Sequence, residues 1–138
     1  MKRLILLLLF TITNTLVFSQ IENWLGRNFR QITYYYEKVL GEKVEQGVRS
    51  NGQPYILVTT EYHARLFIAE KGGNECLLIQ LFPYEDDLVN SLILNLNQNY
   101  SKLNANKWQI QRDDGLFVTC KLFISEDGDK IFSYFYSK

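Results

Sequence analysis

Two cysteines, two prolines, one histidine and one methionine are all that the 138 residues contain of these types. One histidine and two distant cysteines fall short of the four ligands of a structural zinc site, and no C-x-x-C or H-x-x-x-H spacing is present. The acidic turn Glu126-Asp127-Gly128-Asp129 lacks the D-x-[DN]-x-[DN]-G spacing and the distal glutamate of a calcium loop. No G-x-S-x-G, G-x-G-x-x-G or P-loop pattern occurs either, so no metal and no cofactor is expected. Charge excess is missing as well, with 15 basic against 15 acidic residues. Lys and Arg are scattered among Glu and Asp rather than clustered, which argues against nucleic acid and against a polybasic membrane anchor.

Long apolar runs are confined to the N-terminus. Lys2 and Arg3 give a positive start, Leu4 to Phe10 an unbroken apolar core, and Val17 and Ser19 the small residues that a signal peptidase reads. A bilayer core of roughly 30 Å needs about 20 apolar residues in helical form, so this run is too short to span one. Residues 1–19 are therefore expected to be a cleaved signal peptide. Residues 20–138 form one domain, secreted or periplasmic, with no stable membrane association after cleavage. The mature charge would be −2, since two of the 15 basic residues, Lys2 and Arg3, leave with the signal. In an oxidising compartment Cys76 and Cys120 suit a disulfide, which would close a loop of about 45 residues and stabilise the fold by up to roughly 4 kcal/mol. Each also lies in an apolar run, where a free thiol behaves as a small buried hydrophobe.

Periodicity divides the rest of the chain. Ile21, Leu25, Phe29, Ile32, Tyr36, Val39 and Leu40 fall within about 60° of one direction at about 100° per residue, predicting an amphipathic helix that ends at Gly41. A second helix is predicted from about Glu85 to Leu103, carrying Leu88, Val89, Leu92, Leu96, Tyr100 and Leu103 on one side, with Glu85, Asp86 and Asp87 favoured by the dipole in its first turn. Asn104 is its expected end, and Asn95, Asn97 and Gln98 its solvent side. Elsewhere the period is two. Lys43 to Ser50, Gln53 to Thr60, Ala64 to Glu70, Glu75 to Phe82, Lys107 to Arg112, Leu116 to Ser125 and Lys130 to Tyr136 read as strands, joined mostly by Gly-containing turns. The expected fold is a two-layer α+β domain, an antiparallel sheet of about seven strands with two amphipathic helices, in the order α-β-β-β-β-α-β-β-β. Helix plus four strands followed by helix plus three suggests an architectural duplication.

The aromatic content, nine Tyr, nine Phe and two Trp, fits the buried pattern for the most part, as at Phe132, Tyr134 and Tyr136. Tyr34 lies about 180° from the apolar stripe of the first helix, and Leu94 about 160° from Leu92 in the second. Trp24 and Tyr35 differ by about 20° around the first helix, which predicts one ridge beside the buried stripe. Trp24, Tyr34, Tyr35 and Leu94 are thus candidate binding residues for a protein partner, on helix flanks or together with an open sheet face. His63, between two strands, reads as a surface-turn residue. The competing functional reading makes it the general base of a small exported hydrolase, with a nearby acid or thiol. A third reading is an apolar-ligand pocket lined by aromatics. With no catalytic motif in sight, a non-enzymatic exported interaction module, inhibitor-like or an assembly partner, is the leading expectation. N-terminal sequencing of the exported protein should read from Gln20 or close to it, whereas full-length protein resisting carbonate extraction from a membrane would refute the cleavage.

Overall fold

The structure, a computed structural model, describes residues 21–138, so the signal-peptide expectation for 1–19 lies outside the described residues. A single 3-10 turn (Ile21–Trp24) is followed by helix α1 (Phe29–Tyr34), which continues as a π-helical turn over Tyr35–Val39. Four strands come next: β1 (Lys43–Val48), β2 (Pro54–Thr59), β3 (His63–Ala69) and β4 (Cys76–Pro83). Helix α2 (Asp86–Asn99) leads to β5 (Ser101–Asn104), β6 (Lys107–Gln111), β7 (Phe117–Ile124) and β8 (Lys130–Tyr136).

All eight strands form one antiparallel sheet in the order β1-β2-β3-β4-β8-β7-β6-β5. Each half is a four-strand meander preceded by helix. The halves meet through β4 and β8, where Leu78, Ile79, Gln80 and Leu81 oppose Phe135, Tyr134, Ser133 and Phe132. The second half has four strands rather than the expected three, which makes the duplication of element order complete. The missed strand, β5, was read as the end of the second helix. Tyr100 takes an extended conformation at φ −132°, ψ 159°, and the Asn104 side chain accepts the Asn106 amide at 2.9 Å, an Asx turn that sends the chain back as β6. Leu103 is consequently exposed. Asn97, expected on the solvent side, accepts the indole N–H of buried Trp108 at 2.9 Å.

The first helix is broken where the sequence reading had one continuous element. Gly26 has φ +84°, and a side chain there would collide with the Tyr136 hydroxyl 2.5 Å away, so only glycine fits. Its amide bonds the Cys76 carbonyl at 2.8 Å, and the Cys76 amide returns to the Arg27 carbonyl at 2.9 Å. Helix α1 then restarts at a capping box: Gln31 N–H donates to the Asn28 side chain at 2.9 Å, and Asn28 N–H to the Gln31 side chain at 3.3 Å. The wide π turn, closed by the Leu40 amide on the Tyr35 carbonyl at 3.0 Å, changes the angular spacing. Val39 and Leu40, expected in the buried stripe, are rotated out to 58% and 48% exposure.

Ile21, Leu25, Ile32, Tyr36, Val89, Leu92 and Leu96 pack in one cluster with Ile56, Val58, Phe67, Ile79, Leu81, Trp108, Cys120, Phe132 and Tyr134 from one face of the sheet. Phe29, Trp24 and Tyr35 are half-buried against it. Tyr34 and Leu94, by contrast, stand 64% and 57% exposed. Leu92→Ala and Ile32→Ala should each lower unfolding free energy by about 2–5 kcal/mol in urea titrations, and Leu94→Ala by less than about 1 kcal/mol.

Candidate functional site

The aromatic residues singled out on the helix flanks do not form one surface. Trp24 and Tyr35 touch at 4.9 Å between ring centroids with the rings tilted, a contact made between the 3-10 turn and the π turn rather than along one continuous helix. Both also contact buried Tyr36, at 5.7 and 5.4 Å, which leans on Phe67 at 5.5 Å. The rings therefore belong to the packing of the helix layer on the sheet. Tyr34 points away from that stack into solvent, and Leu94 does so from the other helix.

His63 is not a surface-turn residue. It is the first residue of β3, faces the helix layer and is 4% exposed. Its Nε2 accepts from Arg65 Nε at 2.9 Å, and its Nδ1 lies 3.3 Å from Thr60 Oγ1. Arg65, also buried, donates through Nη1 to the Tyr36 hydroxyl at 2.6 Å and lies over the Tyr36 ring. Burial, with the Arg65 charge second, pushes the His63 pKa from 6.5 down to about 3. The imidazole is neutral at physiological pH, and the lone pair that a general base would use is occupied by a guanidinium N–H. Arg65 was legible as an inward residue from the alternation His63, Arg65, Phe67; its charge kept it off the list of core residues.

A second polar cluster ties the N-terminal turn to the other half of the sheet. Glu22, 6% exposed, accepts from the Tyr100 hydroxyl at 3.4 Å, and burial raises its carboxyl pKa. Arg112 Nη1 donates to the Leu25 carbonyl at 2.8 Å, to the Glu22 carbonyl at 3.3 Å and to the Tyr136 hydroxyl at 3.3 Å. Each group here serves to hold the segment in place. Cys76 and Cys120 are free and buried, and burial pushes both thiols up to about 12. Strand β8 lies between β4 and β7, which separates the two cysteine-bearing strands by about 10 Å, beyond the roughly 7 Å between Cα atoms that a disulfide tolerates. Of the two sequence readings, bridged or buried as free thiols, the structure holds the second, with both thiols acting as core residues. Among the described residues, no three His, Cys, Asp or Glu side chains come together as a metal site.

The opposite face of the sheet has the unusual composition. On β2, β3, β4 and β8 its outward residues are Tyr55, Leu57 and Thr59; Ala64, Leu66 and Ile68; Leu78, Gln80 and Phe82; Ile131, Ser133 and Phe135. None carries a charge. None belongs to the core cluster made with the helices. Ile68 and Ser133 are buried and the other ten are half-buried. A sheet face turned to water ordinarily alternates to polar residues, yet here the polar atoms are few, and Gln80 and Ser133 bond one another at 3.5 Å. Charges begin only on the flanking strands, with Lys43 and Glu45 on β1 and Lys121 and Lys107 on β7 and β6, in cross-strand register with the central residues. Period-two alternation on these strands was visible in the sequence. The helices pack against the other face. At one end of the sheet an open hollow of about 510 Å³ is lined by Gln109, Gly115, Leu116, Phe117, Tyr136, Ser137 and Lys138.

Comparison with protein-family models, with characterised proteins and with solved structures finds no match for this chain.

His63 gives stability a pH dependence whose sign follows from its lowered pKa. Below about pH 6.5 the unfolded chain binds a proton that the folded chain refuses until about pH 3, so the stability due to neutral His63 is complete above 6.5 and lost on acidification, at up to about 1.4 kcal/mol per pH unit. Glu22 has the opposite sign: its raised pKa contributes stability below 4.5 that is lost as the pH rises through the folded value. Urea titrations between about pH 7 and pH 5 should show wild-type stability falling on acidification and a flatter profile for His63→Gln, the difference isolating the imidazole.

Proposed function

We propose that the chain is an exported, non-enzymatic interaction module that binds a protein partner through the charge-free face of its sheet. The observation that carries the reading is the absence of any charged side chain from the outward positions of four adjacent strands. Depletion of charge at the centre, with aromatic and aliphatic residues inside a charged rim, is the composition of a protein interface core. Contiguous apolar patches of this breadth are rare on monomers that meet only water. The export address rests on the charged start and apolar run of the N-terminal sequence.

This reading moves the interface from the helix flanks to the sheet. Trp24 and Tyr35 spend their ring faces on Tyr36, and Tyr34 and Leu94 are single exposed residues on separate helices, which is ordinary for a protein surface. The hydrolase alternative loses support because its only imidazole is neutral, buried and bonded to Arg65. The hollow at the end of the sheet gives the apolar-ligand alternative little support, because it is open rather than enclosing.

A photoactivatable amino acid at position 66, on the sheet face, should trap a protein partner covalently in the producing cells. The same probe at position 94, on the exposed helix side, should trap none. Equal labelling from both positions, or none from position 66, would overturn the reading.

A further inference from the structure

We infer that the occupant of the charge-free sheet face is a second copy of this chain, packed sheet to sheet about a two-fold axis parallel to the strands; this rests on the functional reading above. The charge-free patch is four strands wide, so its midline runs between β3 and β4. Strands β1 and β7 flank it at equal distance. A two-fold axis along that midline lays β1 of one copy over β7 of the other while preserving height along the strands. Glu45 and Lys121 occupy the same cross-strand row, through Leu57, Leu66, Gln80 and Ser133. The axis therefore places Glu45 of each copy opposite Lys121 of the other, and symmetry makes the pair twice.

In the next row Tyr55, Ile68, Leu78 and Phe135 are in register, so half-buried Tyr55 meets Phe135 across the interface, whereas Ile68, 1% exposed, is already buried within its own copy. The polar row sets Leu66 against Gln80, whose amide is already bonded to Ser133. Glu45 is now held by Lys43 at 3.1 Å, with both side chains more than half exposed, and Lys121 rests on the Phe123 ring at 4.6 Å. Exposed contacts of this kind are weak and can be exchanged. A partner without this antisymmetric charge would gain the apolar contact and lose both ion pairs.

The area is sufficient. Six strands at about 4.8 Å spacing and about 20 Å of strand length give a footprint of roughly 600 Å² per copy before side-chain relief is counted. A standard interface takes roughly 800 Å² of accessible surface from each partner. Aligned sheet packing, at about 10 Å separation and within about 30° of parallel, keeps the rows in opposition.

Sedimentation of the protein as recovered from cells, from about 1 to about 100 µM, should show a concentration-dependent dimer. Leu66→Lys should abolish it with the circular dichroism spectrum unchanged, and Leu94→Lys should not alter it. Lys121→Glu should weaken dimerisation by about tenfold, and adding Glu45→Lys should restore it to within about threefold. The charge pair keeps the test decisive if Leu66→Lys fails to fold, because both residues lie at the solvated rim. A wild-type monomer throughout this range, a dimer that survives folded Leu66→Lys, or failure of the double charge exchange to rescue would each overturn the proposal. If position 66 crosslinks only to a different protein in cells, the two-copy assignment falls and the functional reading stands. If it crosslinks to nothing, both fall.

Discussion

The pairing of β4 with β8 is the contact on which the molecule depends, because among the described residues it is the only ladder that joins the two four-strand meanders. Within each meander neighbours are linked by short turns and pair at small sequence separation, so loop closure costs little there. The central ladder brings together residues more than fifty positions apart and gains its stability from what lies on its two sides. Ile79, Leu81, Phe132 and Tyr134 face the helices and are wholly buried. Leu78 and Phe135, with the Gln80 and Ser133 pair, face the other way. Helix α2 spans the interval between the halves and adds Leu92 and Leu96 to the same core.

The strands were legible in the sequence because half-buried antiparallel strands alternate and because glycine and aspartate mark the turns between them. The helices were legible through Leu25, Ile32, Leu92 and Leu96, all of which are buried. What escaped is local geometry overriding period. The break at Gly26 depends on the Tyr136 hydroxyl occupying the place of a side chain, a contact over about a hundred positions that no window sees. The Asn28 capping box was readable from Asn-x-x-Gln and would have placed the start of α1 correctly. The π turn that exposes Val39 and Leu40 has no comparable signature. Strand β5 was missed because Leu103 fits the helical spacing of Leu92 and Leu96, while its partner strand and the Asn104 turn decide otherwise.

Both buried ionic groups were overlooked for a related reason: a charge is read as exposed until a partner is known. Arg65 is buried beside a neutral histidine and the Tyr36 ring, and Glu22 beside Tyr100. Breaking such sets by removing one partner leaves the other desolvated and costs more than the contacts themselves contribute. The charge-free face carries the opposite signature, since polar replacement there leaves no buried group stranded.

The clamp of Arg112 and Tyr136 on the Glu22 to Gly26 turn also has a meaning in time. A chain that emerges N-terminus first presents Ile21 and Leu25 long before β6 and β8 exist to receive them. Until the final strands arrive, Ile21 and Leu25 lack the partners that bury them. Completion is therefore late and dominated by distant contacts, the regime in which folding is slow and half-made sheets find wrong partners. The same clamp that secures the finished molecule leaves its beginning waiting on its end.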